Sequence, residues 1–551
     1  MGNAETPEAA TGAQLLTRAL SAAGVRTLFS LSGNQIMPIY DACLSAGIRI
    51  VHVRHEAAAV YMAEAHAQLT GEVGVALVTA APGFANALSP LFSARLSESP
   101  ILLLSGDSPL SQDGMGAFQE LGQTEISAPL VKASSRPQRA SELATAVAQA
   151  IRMARSGRPG PVHMALAFDV LCAEVTSPSI PASEAFEPVP LSLCDEAADH
   201  IGGLIARAER PVIVTGPAHN RSRADGLTDR LESVLNVPVV CMESPRGLRD
   251  PSLGAFAEII AEADLVVLLG KAADFTTGFL GKGFGAADAK FVIVDPDTGY
   301  LDRARAACGG RLAFLARADV AAAAAALVAR GRASSSHRWL AAVREAVGWR
   351  GERVAGDGAI HPAALCDEVN RLIERADEAI LVCDGGEFGQ WAQAFCTAKR
   401  RIINGPSGAI GGGLCYAVAA KIAYPEATVV VLMGDGTAGF HFVEFETAAR
   451  EGADIVAVIG NDSRWNAEHQ IQLRDYGADR LIGCELSDRA RYDRAASGFG
   501  CHGEYVETAE ELSAALERAA ACSRPTCVNV IIDSLAAPVF LRGAASAVTA
   551  H

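Results

Sequence analysis

Oxygen-bearing side chains follow two predicted strands in the last third of the chain. Segment 434–436 reads Gly-Asp-Gly directly after one β-branched run, and Asn461 directly follows the next. Glycines on both sides of Asp435 let a ligand approach the backbone, so this carboxylate could hold a hard cation. The Asn461 amide would supply a second ligand and the Ser463 carbonyl a third. Because Mg²⁺ takes the rest of its shell from phosphate and water, the pattern predicts a magnesium site for a diphosphate.

A Gly-Asp-Gly segment is more often only a turn, so its strand context decides the interpretation. Short β-branched runs alternate with helical stretches such as 56–69 along the whole chain. This alternation predicts an α/β protein with parallel sheets covered on both faces. The predicted strands fall into three sets, at 25–31, 49–53, 75–79 and 101–105, then 211–215, 237–242, 265–270 and 291–295, then 379–383, 428–433, 455–460 and 527–532.

Two stretches are typical of linkers: the Pro- and Ser-rich segment 176–190 and the polar segment 331–361. Dividing the chain there predicts three doubly wound parallel-sheet domains, each of an ordinary size. Their predicted bounds are 1–180, 191–335 and 358–545.

Composition excludes several classes of protein. The chain has 551 residues, half of them apolar, which is enough for several buried cores. Its net charge is -16 and no basic cluster stands out, so a nucleic-acid partner is not expected. Thirteen cysteines occur singly, which argues against a disulfide framework or a zinc site. Without a signal-like start or an apolar run long enough to span a bilayer, we predict a cytoplasmic protein with no membrane partner.

Several further segments resemble one enzyme family along nearly the whole chain. They are residues 28–38 (LFSLSGNQIMP), 54–59 (RHEAAA), 79–86 (TAAPGFAN), 118–120 (FQE), 157–162 (GRPGPV) and 405–414 (GPSGAIGGGL). Together with the Gly-Asp-Gly segment, they resemble the thiamine diphosphate (ThDP) enzymes of the acetolactate synthase and pyruvate oxidase type. This family also has benzaldehyde lyase-like and 2-hydroxyacyl-CoA lyase-like members. The resemblance implies a pyrimidine-binding, a central and a diphosphate-binding domain.

The resemblance implies a single catalytic glutamate, Glu56. In the family this carboxyl hydrogen-bonds the aminopyrimidine ring and favours the form that takes the proton from the thiazolium C2. The alternative is a carboxylate placed in the first turn of a helix by the macrodipole. Ile410 would lie beneath the bent cofactor, unless it is an ordinary core residue. The predicted cofactor-binding residues are Gly33, Asn34, Pro82, Asn86, Glu387, Phe388, Gly408, Ile410, Gly434, Asp435, Gly436, Thr437 and Asn461.

The substrate side is less well defined. Gln119 matches a substrate-facing position of the family and is predicted to be catalytic, although a surface amide is the alternative. His469 could equally be a solvated loop histidine. The predicted substrate-facing residues are Phe118, Trp465, Asn466, Glu468 and His469. Segment 465–476 departs from the acetolactate synthase pattern, and Asp462 stands where many members have a second Asn, so the substrate stays open.

The central domain departs further from the family. Flavin-binding members carry arginines after the strand that here ends at Gly270, whereas this chain has Lys271 and no arginine through position 276. Bound FAD, or an ADP- or CoA-type nucleotide in its place, therefore stays open.

Three functions compete. The leading one decarboxylates a 2-oxo acid and ligates the acyl unit to a second carbonyl. The alternative acts as a lyase or decarboxylase on 2-hydroxyacyl- or oxalyl-CoA, and a remote one is a non-catalytic ThDP-binding regulator. A nicotinamide-dependent dehydrogenase is disfavoured because no clean Gly-x-Gly-x-x-Gly follows a strand. The resemblance also implies a homodimer or homotetramer, since family members hold the two ends of the cofactor with different subunits.

Overall fold

The computed structural model describes residues 9–224, 226–351 and 359–542. These residues form two compact units. The first runs to Val189 and includes Val418–Ala423, and the second holds the remainder from Pro190 onward. Residues 1–8, 225, 358 and 543–545 of the predicted domains lie outside the described residues, and the domain bounds stay a prediction.

The first unit contains a six-stranded parallel sheet and a two-stranded antiparallel pair. Its strands are β1 (Ala10–Thr11), β2 (Thr27–Ser30), β3 (Arg49–His52), β4 (Gly74–Val78), β5 (Ile101–Asp107), β6 (Ser134–Ser135), β7 (Val162–Ala167) and β8 (Glu174–Val175). The large sheet has the order β3-β2-β4-β5-β7-β6, while β1 pairs with β8. Every residue of β4, β5 and β7 is buried, as expected for a sheet covered on both faces.

Helices follow the strands of the first unit. They are α1 (Gly12–Ala22), α2 (Met37–Ala46), α3 (Glu56–Thr70), α4 (Pro82–Asn86), α5 (Leu88–Leu96), α6 (Gln123–Ser127), α7 (Leu143–Arg155) and α8 (Phe168–Cys172). α3 matches the helix predicted over 56–69 almost residue for residue, and it ends at Gly71, whose φ of 75° suits a left-handed cap.

The second unit contains two parallel sheets. The first comprises β9 (Pro211–Thr215), β10 (Val239–Cys241), β11 (Leu265–Leu269), β12 (Lys290–Val294) and β13 (Leu312–Ala316), in the order β10-β9-β11-β12-β13. Its helices are α9 (Asp195–Arg207), α10 (Leu227–Leu235), α11 (Phe256–Ile260), α12 (Thr298–Cys308), α13 (Val320–Ala329) and α14 (His337–Gly348).

α14 lies inside the segment 331–361 that was predicted to be a linker. The helix is amphipathic, and Trp339, Val343 and Ala346 are buried in the apolar core that also contains Phe256. The Trp339 indole N–H donates to the Pro211 carbonyl over 2.9 Å. The polar composition of this segment predicted a linker, whereas the segment contains a helix that packs on the central sheet.

The second sheet of this unit comprises β14 (Ala379–Asp384), β15 (Arg400–Ile403), β16 (Thr428–Gly434), β17 (Val456–Asn461), β18 (His502–Val506) and β19 (Thr526–Ile531). The strand order is β15-β14-β16-β17-β19-β18, with every neighbouring pair parallel. The remaining helices are α15 (Pro362–Arg375), α16 (Glu387–Phe395), α17 (Gly413–Ala423), α18 (Asp435–Ala438), α19 (Glu444–Glu451), α20 (Asn466–Tyr476), α21 (Tyr492–Ser497) and α22 (Ala509–Ala521).

The three parallel sheets confirm the predicted doubly wound α/β fold class. In each, the strand order reverses beside the first strand of the sheet, between β2 and β4, β9 and β11, and β14 and β16. Ligands of such folds bind outside the carboxyl ends of the strands at these switch points. Among the described helices, none is long and apolar enough to cross a membrane. All thirteen cysteines are free thiols, as predicted.

Candidate active site

A cavity of about 230 Å³ opens at the switch point of the sheet that contains β14 and β16. Asp384 ends β14 and Asp435 directly follows β16, so the parallel register brings both carboxylates to the same edge. The cavity collects most of the cofactor-binding residues predicted for this part of the chain. They are Glu387, Phe388, Gly408, Ile410, Gly434, Asp435, Gly436 and Thr437.

Asp435 is the first residue of α18 and is 2% exposed. Its Oδ2 is buried and accepts no hydrogen bond from the part of the chain that the structure describes. Burial and the nearby carboxylate of Asp462 raise the pKa of Asp435 to about 7. Burial likewise raises the pKa of Asp462 to about 6. A buried carboxylate oxygen without a donor is costly unless a cation or a proton compensates it, so this donor set fits a hard cation.

The two further ligands predicted from the sequence, Asn461 and Ser463, take part in local hydrogen bonds, and their role as ligands stays a prediction. The Asn461 amide nitrogen donates to Asn529 Oδ1 over 3.1 Å. Its Oδ1 accepts the Ser463 backbone N–H at 3.1 Å and the Ser463 hydroxyl at 3.4 Å. The cavity wall is formed by Asp462 and Arg464 at this point. Successive side chains point to opposite sides of an extended chain, so the residue next to Asn461 faces the cavity.

Asp384 anchors the glycine-rich loop 408–413, a role that the sequence reasoning missed. Its Oδ2 accepts backbone N–H groups from Gly411 at 3.0 Å and Gly413 at 2.6 Å. Burial raises the pKa of Asp384 to about 7, and these hydrogen bonds act in the opposite direction. On the other side of the loop, buried His441 Nδ1 lies 2.7 Å from the Gly411 carbonyl oxygen. Asp435 was predicted because an aspartate stands beside glycine at the end of a strand. Asp384 has the same pattern, since it ends β14 and is followed by two glycines, so the same rule would have predicted it.

Glycines at this edge leave room for bulky neighbours. A Cβ on Gly411, whose φ is 95°, would lie 2.5 Å from the Phe440 side chain. A Cβ on Gly436 would lie 2.7 Å from the Trp465 ring. The predicted residue Trp465 therefore packs directly on the Gly-Asp-Gly segment and lines the cavity with Glu468.

The other predicted substrate-side residues of this segment differ in their surroundings. Asn466 also lines the cavity, but its amide donates to the Leu535 carbonyl at 3.0 Å and accepts from the Ser534 hydroxyl at 3.2 Å. Its polar atoms thus connect α20 to the segment after β19. His469 is 8% exposed in α20, and its Nδ1 is buried without a hydrogen-bond partner among the described residues. It is therefore a buried helix residue and not a solvated loop histidine.

Arg246, from the part of the chain after β10, also lines the cavity, and the sequence reasoning did not predict it. Its guanidinium lies 3.6 Å from Glu387 Oε2, which also accepts the Ala537 backbone N–H at 2.8 Å. Arg246 and Arg464 thus place positive charge beside a cavity that carries several carboxylates, an arrangement suited to an anionic ligand.

The predicted residues of the first unit form a cluster at its own switch point. Glu56 begins α3, is 8% exposed, and accepts from Asn86 Nδ2 at 3.0 Å through Oε2. Pro82 opens α4, which carries Asn86, and a Cβ on the following Gly83 would lie 3.3 Å from Glu56 Oε1. α4 therefore holds this nearly buried carboxyl from one side.

Gln119 joins the same neighbourhood through Gln35. Gln35 Nε2 donates to Gln119 Oε1 at 2.7 Å, and the Thr79 hydroxyl donates to Gln35 Oε1 at 2.8 Å. Gly33 packs against Thr79, since a Cβ there would lie 2.3 Å from the threonine side chain. Gln119 has a φ of 61°, an uncommon conformation for a residue with a side chain. Asn34 and Phe118 are exposed, Phe118 by 74%.

The central switch point contains a buried lysine. Lys271 follows β11, is 4% exposed, and donates from Nζ to the Met242 carbonyl at 3.1 Å. Thr215 and Gly270 form a bridge at the same strand ends. A flavin or another nucleotide in this domain stays a prediction.

Comparison with known proteins agrees with this geometry. The family described as "Thiamine pyrophosphate enzyme, N-terminal TPP binding domain" matches residues 10–126, and "Thiamine pyrophosphate enzyme, C-terminal TPP binding domain" matches residues 384–530. A "Probable acetolactate synthase" of Mycobacterium bovis is 32% identical over 94% of this chain and 95% of its own length.

Relatives of a second kind match over a similar length. "2-hydroxyacyl-CoA lyase 2" of Danio rerio is 28% identical over 91% of this chain and 87% of its own length. The Homo sapiens protein of that name is 29% identical over 95% of this chain and 90% of its own length. Thiamine pyrophosphate is another name for ThDP. These matches therefore confirm the resemblance that was predicted from the sequence. The chain belongs to the family of thiamine pyrophosphate-dependent enzymes.

Proposed function

We propose that this chain uses ThDP and Mg²⁺ to form or cleave a C–C bond next to a carbonyl, in the manner of acetolactate synthase. It would decarboxylate a 2-oxo acid and pass the acyl unit to a second carbonyl. The observation that carries this proposal is the cavity at the β14–β16 switch point. There Asp435 Oδ2, which is buried without a hydrogen-bond partner among the described residues, suits a cation, and the anchored glycine loop suits a diphosphate.

Each part of the proposed site has a defined task. When bound, ThDP supplies the electron sink for the reaction. Asp435 would hold the cation, and Ile410, which lines the cavity, would support the cofactor from below. Glu56 would hold a proton shared with the pyrimidine ring, with Asn86 fixing the direction of its carboxyl. Gln119, Phe118, Trp465, Glu468 and His469 remain proposed substrate-side residues.

We further propose that two or four copies of the chain assemble in the cytoplasm, with Glu56 of one copy serving the cavity of another. The family resemblance supports this arrangement. Size-exclusion chromatography with light scattering should give a dimer or tetramer, and a monomer that is fully active would contradict it.

A 2-hydroxyacyl-CoA or oxalyl-CoA substrate is the second candidate, supported by the relatives named 2-hydroxyacyl-CoA lyase 2. Incubation with ThDP, Mg²⁺ and either pyruvate or a 2-hydroxyacyl-CoA separates the two. We expect CO₂ and a carboligation product from pyruvate. An aldehyde and formyl-CoA formed only from the acyl-CoA would favour the second candidate, because they are the two fragments of the cleaved C1–C2 bond. Cofactor binding without turnover of any substrate would favour a regulator.

Gly411→Ala should weaken ThDP binding about tenfold, because a strained residue costs about 1–3 kcal/mol and every 1.4 kcal/mol is a factor of ten. The new methyl group would meet Phe440 and push the loop away from Asp384. Gly452→Ala is the matched control: its φ is 66°, yet no atom lies within 4 Å of the added Cβ. Calorimetric titration with ThDP in Mg²⁺ should show equal affinity for the control and the wild type. Equal affinity for Gly411→Ala would contradict the assignment of the loop.

A further inference from the structure

Glu120 binds the backbone of its own loop, residues 113–122 between β5 and α6, which we call the Glu120 loop. Its Oε1 accepts the Gly114 backbone N–H at 2.5 Å. Its Oε2 accepts the backbone N–H groups of Gly116 at 2.9 Å and Ala117 at 3.0 Å. One carboxylate therefore gathers three backbone donors of the segment that precedes it.

Two glycines allow these donors to converge. Gly114 and Gly116 have φ values of 75° and 76°, in the left-handed region that favours glycine. Turns of this kind aim nearby N–H groups at one point and form an anion-binding concavity, which Glu120 fills from within the chain. The Gly114 N–H is the main cause that holds the pKa of Glu120 below its usual range, so the carboxylate is charged at neutral pH. Hydrogen bonds to a charged acceptor are about twice as strong as neutral ones.

Apolar packing contributes little to the order of the Glu120 loop. The side chains of Met115 and Phe118 are 76% and 74% exposed. A cavity of about 190 Å³ adjoins the loop, and Asp113, Glu120 and Arg136 are among the residues that line it. The loop is therefore held by polar contacts, namely the ion pair of 2.6 Å between Asp113 and Arg136 and the hydrogen bonds of Glu120.

The loop carries Gln119 in an uncommon conformation. The φ of Gln119 is 61°, which a residue with a side chain keeps only where its surroundings enforce it. Glu120 binds the backbone of Ala117, two residues before Gln119, and so constrains the chain on both sides of it. In this conformation Gln119 Oε1 accepts from Gln35 at 2.7 Å.

We propose that Glu120 is a positioning residue, which holds its loop in the conformation that presents Gln119 to the substrate. This inference rests on the proposed function, which makes Gln119 a substrate-side residue. The carboxylate of Glu120 is occupied by its own backbone, so it would act on turnover only through Gln119. Proton transfer by Glu56 would not depend on it.

Glu120→Gln tests the hold on the loop. Glutamine keeps the size of the side chain, but one of its two terminal atoms is an N–H donor and cannot accept a backbone N–H. Deuterium exchange of the amides in 113–122, followed by mass spectrometry on the full-length protein, should become about tenfold faster. Glu142→Gln is the matched control, because Glu142 also accepts a backbone N–H, from Gln138 at 3.2 Å, outside the loop. It should leave exchange in the loop unchanged.

A double-mutant cycle tests whether Glu120 acts through Gln119. With pyruvate or a 2-hydroxyacyl-CoA, whichever is turned over, Glu120→Gln should lower kcat/KM about tenfold. Its ThDP affinity and the deuterium exchange at C2 of bound ThDP should match the wild type. In a Gln119→Ala background the same change should lower kcat/KM by less than about twofold, because the residue that Glu120 positions is gone.

The outcomes separate this inference from the proposed function. Unchanged loop exchange in Glu120→Gln, with the variant shown to be folded by circular dichroism, would overturn the inference. Equal losses of kcat/KM with and without Gln119 would overturn it as well, because they would mean that Glu120 acts independently. If the wild type turns over neither substrate, the proposed function fails, while the exchange comparison still decides whether Glu120 holds its loop.

Discussion

Glu56→Gln should lower turnover by about 10²–10⁴-fold, the usual contribution of a positioned proton-transfer group. Glutamine preserves the size of the side chain and can still meet Asn86, but its amide is neither an acid nor a base near neutral pH. Because the cation and glycine-loop residues are unchanged, ThDP affinity should stay within about threefold of the wild type. The loss should therefore fall on turnover and not on cofactor binding.

Glu64→Gln is the matched control for this experiment. Glu64 lies two turns further along α3, is fully buried, and accepts from Gln68 at 3.2 Å. The two variants thus make the same chemical change on the same helix, at the candidate site and away from it. Hydrogen–deuterium exchange at C2 of bound ThDP, followed by NMR, should slow in Glu56→Gln and keep its rate in Glu64→Gln. Unchanged exchange in Glu56→Gln would remove Glu56 from the proton transfer.

The fold class could be predicted because most core strands of the three parallel sheets are short apolar runs. The apolar strands β7 and β13 were also not predicted. The sequences of β15 and β18 explain why they were missed: β15 begins with two arginines, and β18 reads His-Gly-Glu-Tyr-Val. Both lie at the edges of their sheet, where one side of the strand has no neighbour to bury it. α14 was missed for a related reason, since its polar face dominates the composition of the segment.

The candidate site could be predicted only where a single segment carries the signal. The Gly-Asp-Gly segment at Asp435 is of that kind, because a strand, a turn and a carboxylate follow one another. The orientation of neighbouring side chains could not be predicted in this way, because a shift of one residue decides whether Asn461 or Asp462 faces the cavity. Arg246 reaches the site from a distant part of the chain, and no local pattern indicates such a contact. Whether Glu56 and the cavity serve one reaction stays a prediction.

Arg401→Met should lower the free energy of unfolding by about 2–3 kcal/mol. This loss is smaller than is usual for breaking a fully buried ion pair, because the Arg401 side chain is 23% exposed. Arg401 lies in β15, and one of its guanidinium nitrogens donates to Glu243 Oε1 over 2.6 Å. Asn220 donates to the other Glu243 oxygen at 2.6 Å, and the Ser222 hydroxyl donates to the Arg401 carbonyl at 3.3 Å. The Arg401 side chain therefore links the sheet with β15 to the central domain. Its removal would leave the largely buried Glu243 without its cation.

The stability of the same variant should depend on pH more strongly than that of the wild type. Arg401 also acts on Asp250, where burial raises the carboxyl pKa and the guanidinium opposes that rise. Without Arg401, the folded-state pKa of Asp250 rises further above its unfolded value. A folded state that binds more protons loses stability as pH increases, so the deficit of Arg401→Met should be larger at pH 8 than at pH 5.

Arg371→Met controls for the loss of an arginine. Arg371 pairs with Glu368 on the surface and is 60% exposed, so its removal should cost less than about 1 kcal/mol. Adding Glu243→Gln to Arg401→Met should recover part of the loss, because the unpaired charge disappears with it. Urea unfolding followed by tryptophan fluorescence at both pH values measures all three variants. Equal unfolding midpoints for Arg401→Met and Arg371→Met would show that the buried pair does not hold these two sheets together.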